Sequence, residues 1–306
     1  EARLTPDAAA ADAAWHCARS TGAPRWRPKI GVMNTPSDHR IESTAWVPLM
    51  ARALGPVAWP WLAPPDAQAQ QVANGGGSTA VAADPLVTLN VLWRTQLLRE
   101  AARSFFSHHP DAIGVNLGCG LSNPFPDLDT GLNRWIDADL PDALRTRHRA
   151  MPHTRRKPHG ARCSERTVDL REPGWWRALG LPERNHASPP VFVQCEGVMM
   201  YLTPRQAHAA LHEFAERAPD GSQWAMDVIS SLGVGCAGLV PSLAASGAQF
   251  RWGVRDLDEL KAIHPRLDLL EAHSVAECWG PAGLMAQAMC WPWLGAPPYS
   301  VVTLSV

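Results

Sequence analysis

The residues able to do chemistry gather in one run, Ala112 to Asp139, which reads AIGVNLGCGLSNPFPDLDTGLNRWIDAD. An apolar stretch, Ile113 to Leu117, breaks at Gly118-Cys119-Gly120 and resumes at Trp135-Ile136 before Asp137 and Asp139. That is the pattern of a strand, a glycine turn and a second strand ending in acid. Glycines just after a parallel strand let the backbone approach a cofactor closely, and an acid at the end of the next strand accepts hydrogen bonds from ribose hydroxyls. The pattern points to a nucleoside-bearing cofactor. A dinucleotide fingerprint needs GxGxxG running straight into a helix, whereas Pro124 and Pro126 delay any helix here. With no helix N-terminus offered to a pyrophosphate, a cofactor lacking phosphates fits better, and S-adenosylmethionine is the candidate. The competing reading of the same glycines is a tight turn with no ligand.

The elements that must position these residues follow in chain order. Residues 1–30 read as a helix and a connecting loop, and Ile41 to Ala53 as a cap helix with a proline interruption. Pro64 to Ala80, with Pro-Pro and three consecutive glycines, reads as a surface loop. Pro85 to Phe106 carries a broad helical stripe leading into the first strand. Pro141 to Arg149 reads as a short basic helix and Met151 to Ala161 as a polar loop, a basic run expected to be a solvated surface. Arg166 to Leu170 reads as a strand tip, and Val191 to Cys195 as a buried parallel strand with Glu196 at its carboxyl end. Ligands of open parallel sheets sit outside the carboxyl ends of the strands, so Glu196 joins Gly118, Gly120, Asp137, Asp139 and Asp169 on one rim.

A helix capped by Thr203 and Pro204 comes next, then a strand from Gln223 to Ser230. Residues 231–250 are small and apolar, as in a lid. Asp256 to His264 has helical spacing, Leu267 to His273 suits an edge strand, and Tyr299 to Val306 is a terminal strand. The order predicts an α/β chain in which a cap precedes alternating βα units and a closing hairpin. The expected division is residues 1–106 as N-terminal helical cap and lead-in helices, and 107–306 as a cofactor-binding core with a lid insertion near 231–265.

Composition narrows the partners. The 306-residue chain has a formal net charge of -1, so it lacks the basic face of a nucleic-acid binder and suits a small-molecule partner. Seven cysteines without a CxxC pair make neither a zinc framework nor a disulfide scaffold, and no metal is expected. No apolar run has membrane-spanning length and no signal peptide is legible at Glu1 to Ala14, so the expectation is a cytoplasmic protein, monomer or homodimer. Tryptophan is unusually frequent, at 14 against two tyrosines and six phenylalanines. Its two readings are packing filler and an aromatic-lined pocket for a hydrophobic substrate under the N-terminal cap.

Taken together, NLGCGL, WIDADLP, Asp169-Leu170, CEGVMMYL and MDVIS resemble the leucine carboxyl methyltransferase family, in its bacterial polyketide O-methyltransferase (tetracenomycin-type) branch. The resemblance covers roughly residues 40–306. It implies a Rossmann-like class I methyltransferase, with a mostly parallel seven-stranded sheet, helices on both faces and S-adenosyl-L-methionine as cofactor. By matching positions it also implies that Arg94 holds the methionine carboxylate and that Gly118 and Gly120 form the turn against the cofactor. Asp139, with Asp137 beside it, would then bind ribose, Asp169 and Leu170 would lie on the adenine side, and Glu196 under the amino-acid moiety. Two departures stand out: Ser122-Asn123-Pro124 replaces the branch's Asp-Thr-Arg after the glycine turn, and Arg99 stands where the family helix carries an aspartate.

The implied reaction is O-methylation of a carboxylate on an apolar or aromatic small molecule in secondary metabolism. Methyl transfer is an in-line displacement that needs alignment and exclusion of water, and a carboxylate with a reference pKa of about 4 needs no base. A phenol or amine acceptor would use one, with Tyr201, His39 and His273 as the candidates. The rivals are transfer to sulfur, nitrogen or a phenolic oxygen, a non-catalytic cofactor-binding protein on the same fold, and a dehydrogenase that binds NADH.

Overall fold

The computed structural model describes residues 39–75, 84–152, 162–185, 187–240, 244 and 247–306, so the helix expected within residues 1–30 lies outside the described residues. Seven strands, β1 (Ile113–Leu117), β2 (Arg134–Asp139), β3 (Cys163–Thr167), β4 (Val191–Cys195), β5 (Gln223–Ile229), β6 (Asp268–Ser274) and β7 (Tyr299–Ser305), form one sheet in the order β3-β2-β1-β4-β5-β7-β6. The first five are parallel, and β7 inserts antiparallel between β5 and β6. Strand order reverses at β1, which has β2 on one side and β4 on the other. A crevice therefore opens above the carboxyl ends of these three strands.

β1 and β4 are buried at every position, as expected of strands covered on both faces. Period-two alternation sorts their side chains. Val115, Val193, Trp224 and Met226 face one apolar layer, which α6 (Trp175–Ala178) and α7 (Pro204–Arg217) cover with Trp175, Trp176, Leu211 and Phe214. Phe192 and Ala225 face the other layer, covered by α3 (Pro85–His108) with Leu98, Phe105 and Phe106. There the rings of Phe105 and Phe192 pack with centroids 5.3 Å apart, a contact worth about 0.5–1.5 kcal/mol beyond area burial. Asp84 starts α3 by accepting from the Leu86 N–H at 2.8 Å, with Pro85 in the first turn.

The N-terminal helix α1 (His39–Ala58) packs on α2 (Ala67–Asn74) and forms a third, smaller core, in which Leu49, Ala53, Ala69 and Val72 meet Leu121 and Met151. Helix α2 occupies 67–74 of the stretch Pro64 to Ala80 expected as a surface loop, of which 76–80 lie outside the described residues. Asp66 caps it through the Ala69 N–H at 2.8 Å and Val72 is buried, whereas the glycine run that drew attention begins only where the helix ends, at Gly75. Among the described residues no helix is long and apolar enough to cross a membrane. The remaining helices are α4 (Phe125–Leu128), α5 (Pro141–Ala150), α8 (Asp258–Lys261) and α9 (Gly280–Leu294).

Candidate active site

A cavity of about 860 Å³ occupies the crevice above β1, β2 and β4. Its floor is the turn that begins at Gly118, whose φ is +66°. A Cβ there would stand 2.2 Å from Val198 Cγ2, so only glycine permits both the left-handed turn and the close approach of the strap after β4. Gly197 does the same on the facing strap, with φ +68° and the Arg94 guanidinium 3.0 Å from where a Cβ would project.

Five charged or polar groups meet at one end of the cavity. Arg94, on α3, donates from Nε to Glu196 Oε1 at 3.0 Å and from Nη1 to the Tyr299 hydroxyl at 2.8 Å, with Asp227 Oδ2 at 3.5 Å. Thr95 also donates to Glu196 Oε1, at 2.8 Å. Tyr299 donates to Asp227 Oδ2, and Asp227 Oδ1 takes the Gly197 N–H at 2.6 Å. Burial by itself would pull the Arg94 pKa down, but Tyr299, Asp227 and Glu196 raise it well above its ordinary value. Burial would likewise push Glu196 up, and Arg94 and Arg52 with the Thr95 hydrogen bond hold it below the usual carboxylate range. Arg94 and Glu196 are therefore both charged. One atom is left over: Glu196 Oε2 is buried without a hydrogen-bond partner.

On the opposite wall Asp139 ends β2. Its Oδ2 accepts from the Gly120 N–H and its Oδ1 from the Leu140 N–H, both at 2.7 Å. Burial raises its pKa, and the two backbone donors offset that only in part. Asp137 is different. It is 2% exposed, lies outside the cavity lining, and is consumed by Trp135 Nε1 at 3.0 Å, Asn116 Nδ2 at 3.1 Å and Arg147 Nη2 at 2.8 Å. Arg147, expected on a solvated basic helix, is fully buried. Its Nη1 donates to the carbonyls of Gly120 and Ser122 and its Nε to Glu165, so α5 locks the glycine turn from behind.

Asp169 and Leu170 follow β3 and line the cavity, the Asp169 carboxylate held by Arg171 Nε at 2.8 Å. Tyr201 lines it too, its ring 5.7 Å from Phe250. His39 opens α1, but its side chain lies outside the described residues. His273 sits on β6, the sheet's last strand, bonded to Glu277 at 3.1 Å and outside the cavity lining, because β7 intervenes between it and the crevice. No described tryptophan lines the cavity; Trp135, Trp175, Trp176 and Trp224 are core, and the aromatic lining is Tyr201, Phe250 and Tyr299. The segment expected as a lid contributes Val240 and Gly247 to Arg251. It is tied down by the Arg251 N–H to the Met200 carbonyl at 2.8 Å and by a parallel bridge from Ser230 to Val254.

Sequence reasoning missed Tyr299, Asp227, Arg147 and Arg52, which donates to the Leu121 carbonyl at 2.9 Å and lines the cavity. Tyr299 had a signal, being one of only two tyrosines in the chain.

The family model for leucine carboxyl methyltransferases matches residues 44–215. The tetracenomycin polyketide synthesis O-methyltransferase TcmP of Streptomyces glaucescens is 29% identical over 188 residues, covering 61% of this chain and 65% of that protein, so the match spans just under two thirds of the relative. Among solved structures, a DUF574 family protein from Streptomyces avermitilis shares the fold with a TM-score of 0.53 at 14% identity, over 87% of this chain and 99% of that one. A candidate methyltransferase from Thermobifida fusca does so with the same TM-score and identity, over 90% of this chain and 99% of that one. With a match over more than half its length and the motif residues Gly118, Asp139 and Glu196 on one cavity, the chain belongs to the leucine carboxyl methyltransferase family.

Proposed function

We propose that this protein is an S-adenosylmethionine-dependent methyltransferase that methylates a carboxylate oxygen of an apolar small molecule. The observation that carries the reading is Glu196: one oxygen is held by Arg94 and Thr95, while Oε2 is buried in the cavity wall with no partner. An orphaned buried acceptor is costly, and the ammonium of a methionine moiety would satisfy it. Asp139 would accept from the ribose hydroxyls, Val168, Asp169 and Leu170 would flank the adenine, and the turn at Gly118 and Gly120 would let the backbone lie against the ligand. When bound, the cofactor supplies an electrophilic sulfonium methyl. The residues here align the acceptor with it and exclude water.

A carboxylate acceptor is favoured because the described lining offers no neutral nitrogen base and its carboxylates Asp139, Asp169 and Glu196 already have hydrogen-bond partners. Among the described residues no histidine lines it, and burial pushes the Tyr201 hydroxyl up to about 12, so it stays protonated at neutral pH. Leu86, Val91, Met200, Val240 and Phe250 make the acceptor side apolar. The matched relative's name describes an O-methyltransferase of polyketide synthesis, which supports an acceptor from secondary metabolism. The free thiols of Cys119, Cys163 and Cys195 suit a reducing compartment such as the cytoplasm.

Calorimetric titration with S-adenosylhomocysteine, alongside NADH, tests the cofactor: binding of the first alone is expected, and no binding by folded protein would overturn the proposal. A panel of polycyclic aromatic acids with methyl-labelled donor tests the acceptor, and label released by mild alkali identifies an ester. Tyr201→Phe is expected to keep turnover within about threefold, since removing a true general base costs about 10²–10⁴; a loss of that size would revive the phenol or amine reading.

Asp139 gives a pH signature. Its raised pKa means that the ionised form disfavours the native state above the ordinary carboxylate range, and this penalty is relieved as pH falls through the raised value. Ligand affinity moves the other way, because protonation removes the acceptor that ribose needs. Binding of S-adenosylhomocysteine should therefore weaken from neutral to acid pH, and Asp139→Asn should flatten that dependence. An unchanged profile in the variant would exclude Asp139 as the titrating group.

A further inference from the structure

We propose that His212, Glu216 and His264 form a zinc-binding site outside the cofactor cavity. His212 and Glu216 stand one turn apart on α7 and so share a helix face. His264 arrives from the turn after α8, and its Nε2 lies 2.7 Å from Glu216 Oε1. The His212 and His264 rings meet edge to face with centroids 4.9 Å apart. One ligand atom from each of the three residues falls within 4.8 Å of the others. Tetrahedral zinc with bonds of about 2.0–2.2 Å holds neighbouring ligand atoms at roughly 3.3–3.5 Å. The His264–Glu216 edge, a hydrogen bond of 2.7 Å, must open by roughly 0.6–0.8 Å to reach that spacing, and the exposed side chains of His212 and Glu216 can move to allow it and to close the rest.

Two imidazoles with one carboxylate are a donor set for zinc and not for magnesium or calcium, which take oxygen ligands. His212 and Glu216 line a second cavity of about 840 Å³, so the fourth position faces solvent and takes water. Two charge pairs on that wall are mutually compensated, Glu213 with Arg217 at 3.5 Å and Glu259 with Arg255 at 2.8 Å, whereas Arg184 acts on Glu216 and competes with the ion for its charge. One contact opposes binding. The Arg266 N–H donates to His264 Nδ1 at 3.1 Å, which keeps the ring proton on Nε2, where Glu216 accepts it. Zinc takes the place of that proton, which moves to Nδ1 as the Arg266 contact is released. This exchange lowers the affinity below that of a structural zinc site. A bound ion would tie the last turn of α7 to the turn that leads into β6.

The test uses the full chain stripped with a chelator and titrated with zinc chloride in a calorimeter, with cobalt(II) absorption as a second readout. Expected are one ion per chain, a raised Tm and the visible bands of four-coordinate cobalt. His212→Ala and Glu216→Gln should each weaken binding at least tenfold. His273→Ala, which removes a different histidine–glutamate pair, should leave it unchanged. His212 is exposed, so its variant folds, and unchanged S-adenosylhomocysteine binding would verify this. Absence of stoichiometric binding to the parent chain, equal binding by His212→Ala, or loss of binding in His273→Ala would each overturn the site.

Discussion

Arg147→Met is expected to lower stability by about 3–5 kcal/mol, the cost of stranding a buried charge, read as a fall in the denaturant midpoint. Arg147 is fully buried and Asp137 is 2% exposed, so the aspartate left behind has no water to turn to. Burial alone would depress the guanidinium, yet Asp137, Cys119 and Glu165 raise its pKa, so the guanidinium keeps its charge. The loss extends further, because Arg147 also holds the carbonyls of Gly120 and Ser122. The molecules that remain folded should bind S-adenosylhomocysteine more weakly, as the turn under the ligand loosens. Removing both charges in Asp137→Asn/Arg147→Met should recover part of the stability but not the binding. A midpoint shift below about 1 kcal/mol, the size of an exposed pair, would mean that water reaches Asp137.

Glu196→Ala should weaken S-adenosylhomocysteine binding by about 10–100-fold, from hydrogen bonds to a charged group worth about 1.5–3 kcal/mol at about 1.4 kcal/mol per tenfold. The protein should stay folded, because Arg94 keeps Asp227 and Tyr299 as partners. Glu196→Gln separates charge from shape. It can still accept from Arg94 and Thr95, but it places an amide or a neutral oxygen where the ammonium would sit, so an intermediate loss is expected. Binding unaffected by either change would remove Glu196 from the ligand's surroundings and with it the main support for the cofactor.

Much of this molecule was legible because its informative residues are close in sequence or lie at strand ends. Apolar runs at 113–117 and 191–195 announce buried parallel strands, and a residue just past such a strand lies at the crevice by topology alone. Gly118, Gly120, Asp139 and Glu196 were placed that way, and all line the cavity. Helix α2 was hidden for a local reason: its cap and its buried Val72 are weaker signals than the glycines that follow.

The errors share another cause. Asp137 and Asp139 have the same face and type, and alternation cannot tell them apart. Their depth separates them, and Arg147 sets it by reaching down from a helix whose composition reads as surface. Tyr299 meets Arg94 across 205 residues of sequence, and His264 meets Glu216 across 48. The tryptophans carry no periodicity to say which of them are buried, and only packing decides that Trp135, Trp175, Trp176 and Trp224 fill the core while Trp61 and Trp279 stay exposed.

By itself, then, the sequence determined the strand–turn–strand frame, the rim of strand-end residues and the family, because backbone preference and strand-end position act locally. The tertiary structure alone decided which acids face the cavity, which cations lock them and which atom of Glu196 is left unpaired, because those outcomes depend on burial and on partners brought together only when distant segments pack.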